Sequence, residues 1–254
     1  MDLRASLDEK LLPLLATVLG DSNRYAADFR FDKQHSQQLT VVCMYCTIIE
    51  LAHGEQALID KGQTTALPVL LRSIFEAYAD LRALIDDVGY DKRMYATFLQ
   101  EKVRFLKNVL RTPANPFFTG VRAGMDVEKE IASLELEIAK FESRGKKPLT
   151  NFSRFDSATL EHEYQSIYWL LCLEGHNNMS ALDDRHIEES GNKFNVVLFK
   201  EADPADLIRI VDALLSVVID SGVRVHKFLT TQTAKYFEGH RQLLDTYRAD
   251  YSQS

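Results

Sequence analysis

The chain has 254 residues, of which 46% are hydrophobic and 26% are charged, a composition typical of a globular protein with a sizeable core. Glycine and proline number only 11 and 6, which argues against a β-sandwich or β-barrel, because the many tight turns of those folds consume both residues. The formal net charge of −7 makes duplex nucleic acid an unlikely main ligand, since phosphate contacts favour a basic surface.

The sequence carries no pattern of export or membrane insertion, and we expect a cytoplasmic protein. The first residues place acids among the apolar positions, unlike a secretory signal. The most apolar run, IYWLLCL at 167–173, is far shorter than the roughly 18 residues of a membrane span. Three cysteines in a chain of this size do not predict a disulfide framework. Cys43 and Cys46 form a C-x2-C pair inside an apolar helical pattern, without a second pair for zinc, and core filling is the prediction for them.

Apolar residues at helical spacing predict four helices in the first half of the chain. They cover about residues 2–19, 36–61, 65–87 and 91–112. Gly62 and Gly89 are predicted to end the second and third of these helices. Pro68 is compatible with the third helix, because it falls in the first turn.

A fifth helix is predicted at about 126–144, capped by Asp126 and lying at the periphery. Its apolar stripe is narrow, and acids and lysines cover the other faces. The stripe consists of Ile131, Leu134, Ile138 and Phe141. Such a stripe predicts pairing with a neighbouring helix or with a second subunit in a homodimer.

The rest of the chain predicts two more long helices. One starts near Ser157 and runs into the high 170s or the 180s; the other starts at Asp203, kinks near Thr230 and continues towards Tyr247. DDRHIEESGNK (183–193) is predicted to be a loop, and FNVVLF is the basis for at most a short strand or hairpin near 193–200. We therefore predict an all-α fold, a single-domain bundle of about six or seven helices over residues 1–254.

Polar and polarisable side chains recur every four residues along the predicted 157–180 helix. They are Tyr164, Tyr168, Cys172, His176 and Ser180. Residues four apart share one helix face, so this ladder leads to a histidine. IYWLLCL is apolar on every face and predicts a central helix. Asn177 and Ser180 place polar groups beside His176, and a hydrogen-bonded imidazole in such surroundings is suited to proton transfer.

The third helix carries Arg72, Glu76 and Asp80 at intervals of four residues. Arg72 and Glu76 form a favourable ion pair at this spacing. Their small and apolar neighbours suggest that the helix is contacted on several sides. The pair is therefore open to two interpretations, a solvated surface pair or part of a site.

The pairing of LLRSIFEAYADL (70–81) with YQSIYWLLCLEGHNNMS (164–180) resembles the domain-of-unknown-function family 5677, uncharacterised prokaryotic helical proteins. In that pattern one helix carries Arg and, four residues later, Glu, and a later helix carries spaced tyrosines before a histidine. The resemblance spans roughly residues 40–182. The matching positions are Arg72, Glu76, Tyr164, Tyr168 and His176. Cys172 departs from the serine of the pattern. The resemblance implies a helical fold and a shared Arg/Glu/His constellation, and it implies no activity.

These observations predict a polar pocket between the two helices. Arg72, Glu76 and His176 are the predicted catalytic residues. Tyr168, Asn177 and Ser180 are the predicted ligand-binding or supporting residues. We expect Glu76 to accept hydrogen bonds from Arg72 and from the imidazole, and Arg72 to keep donors for an anionic or carbonyl group. No metal and no cofactor is predicted, since Glu50 and His53 supply only half of a di-iron motif.

Three functions stay open at this point. The first is an enzyme or nucleotide-handling effector of a prokaryotic stress or phage-defence system that uses the polar pocket. The second is a non-catalytic helical module that binds a ligand or a protein. The third is a metal-independent ribonuclease of the nucleotide-binding helical type, which requires Arg30 and His35 on one helix face. Two basic clusters, at 102–111 and 144–154, could hold RNA or another anion if they lie side by side. The substrate, and whether there is catalysis, are left open.

Overall fold

The computed structural model describes residues 2–176, 178–191 and 193–252. Within these ranges it contains 11 helices and one two-stranded antiparallel hairpin, so the all-α class is confirmed. The helices are more numerous than the six or seven predicted, because several long predicted helices are interrupted. None of the described helices has the length and apolar character needed to cross a membrane.

The elements follow one another along the chain with short connections. The helices are α1 (residues 3–26), α2 (Ser36–Asp60), α3 (Leu67–Asp86), α4 (Tyr90–Arg111), α5 (Thr119–Gly124), α6 (Val127–Glu142), α7 (Asn151–Ser157), α8 (residues 161–175), α9 (Met179–His186), α10 (Pro204–Phe228) and α11 (Ala234–Ser252). The strands are β1 (Ile187–Ser190) and β2 (Lys193–Val196), with Ile187 opposite Val196. Both α1 and α8 contain a π-helical turn, at Leu7–Leu11 and Tyr164–Tyr168.

Helix starts follow local chemistry. The carboxylates of Asp126 and Asp203 accept hydrogen bonds from backbone N–H groups in the first turns of α6 and α10, as N-caps do. Pro68 lies in the first turn of α3, as predicted. The cap of α2 is His35, whose ring accepts a hydrogen bond from the backbone N–H of Gln38.

The main core forms where α10 packs against α1, α2, α3 and α11. Helix α3 is central too, because it also packs against α2, α7 and α8. The predicted packing between the third helix and the 157–180 segment is therefore confirmed. Leu171 of α8 is 5% exposed and belongs to this core.

Helices α4 and α6 pack together and share a second apolar cluster, separate from the main core. Its buried members are Leu99, Val103, Leu106, Val109, Val127, Ile131 and Leu134. We call this pair of helices the arm. Ion pairs between Lys102 and Glu130 and between Lys107 and Glu135 flank its cluster. The single-domain organisation stays a prediction.

Two predicted helix boundaries are wrong. The first helix continues past residue 19 to Ala26, and Tyr25 in its last turn stacks on Tyr236 of α11. The last predicted helix is broken, not kinked: α10 ends at Phe228, Thr230 has a φ of 55°, and α11 begins at Ala234.

The 157–180 segment also differs from its prediction. A short helix, α7, ends at Ser157, Thr159 has a φ of 54°, and α8 ends at Gly175, so Ser180 belongs to a different helix, α9. The predicted loop at 183–193 contains the end of α9 and β1. The IYWLLCL run is not covered on all sides, because Trp169 and Leu170 are 55% and 54% exposed.

Candidate functional site

Helix α3 holds Arg72 and Glu76 one turn apart, and the two side chains form an ion pair. The Arg72 Nε atom lies 3.2 Å from Glu76 Oε1. Both side chains are about one quarter exposed, at 25% and 26%. The pair is therefore neither a free surface pair nor a buried one, and it lies at the edge of the core where α8 crosses α3.

Tyr168 of α8 fixes the carboxylate of this pair. Its hydroxyl donates a hydrogen bond of 2.7 Å to Glu76 Oε1, and its side chain is buried. Burial and the neighbouring Glu76 carboxylate raise the pKa of Tyr168, so the hydroxyl stays protonated and acts as a donor. The guanidinium of Arg72 lies 5.9 Å from the centre of the Tyr168 ring, within the range of a cation–π contact.

The π-helical turn Tyr164–Tyr168 sets the position of the tyrosines. It stacks the two rings with centroids 5.3 Å apart, and both also contact the ring of buried Phe155. Single π-helical turns inside α-helices often occur at functional sites, because they change which face a side chain occupies. The four-residue spacing of the sequence could not reveal this turn.

His176 lies at the end of α8 and contacts Arg72. The Nη1 atom of Arg72 is 3.1 Å from His176 Nε2, and the imidazole is exposed to solvent. A guanidinium can only donate hydrogen bonds, so Nε2 is the acceptor in this contact. The predicted hydrogen bond from the imidazole to Glu76 is not found among the described residues, and Glu76 accepts from Arg72 and Tyr168 instead.

Gly175 lies next to the guanidinium. A Cβ atom added at this position would come within 3.7 Å of Arg72 Nη1 and 3.9 Å of a Val69 methyl group. Its backbone conformation is one that alanine can adopt, because its φ is not positive. The absence of a side chain therefore keeps one approach to the guanidinium open.

A second carboxylate extends the network along α3. Arg154 of α7 lies 3.6 Å from Glu76 Oε2 and 3.1 Å from Asp80 Oδ1, and Tyr90 donates a hydrogen bond of 2.7 Å to Asp80. The Asp80 side chain is buried, which raises its pKa to about 6 although Arg154 and Tyr90 act in the opposite direction. The sequence pointed to Asp80 through its spacing, and it gave no sign that Arg154 or Tyr90 would join it.

Of the three predicted supporting residues, one joins the network around Arg72. Tyr168 contacts the Arg72–Glu76 pair. Ser180 is exposed on α9, and its backbone N–H donates to the side chain of Asn178; no bond from its hydroxyl to the imidazole is found among the described residues. Asn177 lies outside the described residues.

Other sequence signals do not gather into sites. Among the described residues, no three His, Cys, Asp or Glu side chains meet in a way that could hold a metal ion. Cys43 and Cys46 are exposed, so the prediction that they fill the core is wrong. Arg30 lies between α1 and α2 and donates to the carbonyls of Ala27 and Phe29, while His35 caps α2, so these two do not share a helix face as the ribonuclease interpretation requires.

Three of the four residues of the first basic cluster and two of the four of the second pair with carboxylates. In the first, Lys102, Lys107 and Arg104 pair with glutamates of the arm. In the second, Arg154 turns inward to Glu76 and Asp80. The structure therefore gives no support to a continuous RNA-binding surface formed by these residues.

Two open clefts, of about 480 and 310 Å³, lie away from Arg72. The first is lined by Asp183, Asp184, Ile187, Glu188 and Lys200. Most of its charged groups are acidic and exposed, and none of them belongs to the network. The convergence of a guanidinium, a carboxylate, a phenol and an imidazole is a stronger indication of a site than either cleft.

A family model described as a family of unknown function, DUF5677, matches residues 38–194, more than half of the chain. This range includes α3 and α8, and with them Arg72, Glu76, Tyr168 and His176. No curated protein and no solved structure matches the chain.

Proposed function

The chain belongs to the DUF5677 family of unknown function, and we propose on this premise that it is an enzyme or nucleotide-handling effector whose site is formed by Arg72, Glu76 and His176. The observation that carries the proposal is the contact between the exposed imidazole of His176 and a guanidinium that is fixed from behind by Glu76 and Tyr168. An exposed imidazole beside a fixed cation can bind an anionic group and exchange a proton with it.

The proposed chemistry follows from the hydrogen bonds. Only two of the N–H groups of Arg72 take part in the bonds to Glu76 and His176, so others can bind a phosphate or carboxylate oxygen. An anion that attracts Nη1 displaces it from His176 Nε2. The freed lone pair of Nε2 can then accept a proton from the ligand, and the resulting imidazolium is stabilised by the bound anion.

A second candidate function is a non-catalytic helical module in which the same residues join α3 to α8. The observation in its favour is the internal pairing of Glu76 and Asp80 with Arg154, Tyr168 and Tyr90. Such a network can fix how the helices pack without contacting a ligand. The stress or phage-defence setting is an inference from helical proteins of this general kind and does not rest on any residue of this sequence.

Three variants test the proposal: Arg72→Lys, His176→Gln and Gly175→Ala. Gly175→Ala is the most direct, because alanine adds a methyl group beside Nη1 and is also the better helix former by about 1 kcal/mol. The probes are inorganic phosphate, pyrophosphate, AMP and ATP, and the readout is the rise in Tm that each causes in the wild type and in each variant.

We expect at least one probe to stabilise the wild type and its effect to be lost in all three variants, while the ligand-free Tm of Gly175→Ala is unchanged or higher. Gly239→Ala is the matched control, because a Cβ there meets nothing within 4 Å. The proposal is wrong if Arg72→Lys and His176→Gln lower the ligand-free Tm but keep the cellular phenotype of the wild type per folded molecule. That result would favour the second candidate.

A further inference from the structure

The segment from α8 to the residues that follow the hairpin exposes a large apolar surface to solvent. We define the α8–hairpin surface by seven apolar residues that are each more than half exposed. They are Trp169, Leu170, Met179, Phe194, Val196, Leu198 and Phe199. Met179 is 79% exposed and Leu198 is 75% exposed.

Hydrogen bonds connect the elements that carry this surface. Arg185 of α9 donates to the backbone carbonyl and the carboxylate of Glu174 in α8. The backbone N–H of Val197 donates to the carbonyl of His186, and the ammonium of Lys200 donates to the carbonyls of Asp184 and Ile187. The α8–hairpin surface is therefore held as part of the fold, although its apolar side chains face solvent.

The hairpin has a free strand edge to which a further strand can be added. An isolated two-stranded hairpin is at best marginally stable in water, so this one depends on its contacts with α9, while all four residues of β2 are exposed. FNVVLF is an uncharged, strongly β-forming stretch, the kind that pairs with another strand when its edge is free. Between Phe194 and Phe199 there is no charge that would oppose such pairing.

Phe199 supplies an independent observation. Its φ of 57° is a left-handed conformation, which is uncommon for a bulky residue. The ring is 72% exposed, so contacts within the chain offset little of the energetic cost of this conformation. Residues in such conformations persist where surrounding contacts require them, so a contact from outside the chain would account for the conformation of Phe199.

We propose that the α8–hairpin surface binds a second copy of this chain, with β2 pairing antiparallel to the β2 of the partner across a two-fold axis. The seven side chains expose on the order of 1,000 Å², against about 800 Å² per partner in a stable protein interface. An isologous interface needs a self-complementary strand. When the two-fold axis lies between Phe194 and Asn195, the lysine at position 193 faces Val196 of the other copy, so β2 pairs with itself without facing like charges.

A lipid surface is the less suitable occupant. The exposed carboxylates of Asp183, Asp184 and Glu188 border the same segment, and they would be repelled by anionic headgroups. The arm and the connector that follows α4 offer another apolar surface, with Phe98 at 59% and Phe117 at 89% exposed, but this surface has no free strand edge. These two alternatives become outcomes of the test.

Sedimentation velocity of the full chain at high micromolar concentration tests the proposal with the variants Phe194→Glu and Leu198→Glu. Both residues are mostly exposed, so circular dichroism and Tm should stay close to the wild type. Phe117→Glu, in the connector that follows α4, is the matched control. We expect the wild type and Phe117→Glu to be dimers and the two hairpin variants to be monomers, with the dimer Kd raised at least tenfold.

Three outcomes would overturn the proposal. A monomeric wild type at high micromolar concentration would exclude the dimer. A dimer that persists in Phe194→Glu and Leu198→Glu but is lost in Phe98→Glu would assign dimerisation to the arm. A monomer that binds vesicles of phosphatidylcholine and phosphatidylserine, and loses this binding in Phe194→Glu, would assign the surface to lipid.

Discussion

Glu55 lies inside the core on α2, and we expect its replacement by glutamine to change how stability depends on pH. The side chain is 0% exposed, and neither carboxylate oxygen has a hydrogen-bond partner among the described residues. Burial raises the pKa of Glu55 from 4.5 to about 9. At pH 7 the folded protein therefore keeps a proton on Glu55 that the unfolded chain releases.

The sign follows from proton linkage. Between pH 4.5 and about 9 the folded state binds one proton more than the unfolded state, so the free energy of unfolding falls as the pH rises. Each pH unit in this window costs about 1.4 kcal/mol. The wild type should therefore lose about 3 kcal/mol between pH 4.5 and pH 7, and about 6 kcal/mol by pH 9. Outside the window, this contribution no longer changes with pH.

Urea unfolding of the wild type and Glu55→Gln at pH 5, 7 and 9 measures the effect. Glutamine has the shape of the protonated acid and cannot ionise, so the variant should gain on the wild type by several kcal/mol between pH 5 and 9. Any packing cost of the amide shifts all three values equally and leaves the slope intact. Glu50→Gln, on the exposed side of the same helix, is the control and should follow the wild type. A Glu55→Gln curve parallel to the wild type would refute the reasoning.

Three further predictions concern the core. Leu171→Asp should unfold the protein, because an unpaired buried charge costs several kcal/mol, and an unchanged Tm would contradict this. Gly222→Ala should lower stability by about 1–3 kcal/mol, because the new Cβ would come within 2.4 Å of the fully buried ring of Phe237. Gly239→Ala is the control and should not lower stability, because its Cβ would meet nothing within 4 Å. Equal Tm values for the two variants would be evidence against the clash. His226 is fully buried and its pKa is lowered to about 4, so His226→Gln should remove a loss of up to about 3 kcal/mol that the wild type shows between pH 6.5 and 4 in acid unfolding; the same acid loss in both proteins would count against this.

The sequence was informative where local chemistry decides the structure. Proline, glycine and aspartate marked most helix ends, and the apolar pattern of α3 indicated a helix covered on several sides. The sequence predicted that His176 approaches Arg72, and the structure contains this contact. The prediction combined the polar ladder of α8 with the Arg72–Glu76 pair of α3. Spacing alone was not enough, because it left the Arg72–Glu76 pair open to two interpretations, and the family resemblance linked the two helices.

Other features depend on partners that are distant in the sequence. Arg154 looked like part of a basic surface, and only the fold brings it to Glu76 and Asp80. The end of α8 at Gly175 separates Ser180 from the ladder, and no period in the sequence marks that break. Trp169 and Leu170 were predicted to be buried because they belong to an apolar run, but both are exposed. Apolar residues also occur on protein surfaces, so an apolar run does not by itself show which of its residues are buried.

The central position of α10 has a consequence for synthesis of the chain. Helix α3 is complete at residue 86, but α10, which covers one of its sides, is complete only at residue 228. At typical rates of translation this interval lasts roughly 7–30 s, during which the apolar side of α3 that faces α10 has no cover. Ribosome-bound chains that stop before residue 204 should therefore be sensitive to protease and bind chaperones, and full-length chains should not. The matched family region ends at residue 194, before α10, so in a fragment limited to that region the same side of α3 would lack its cover.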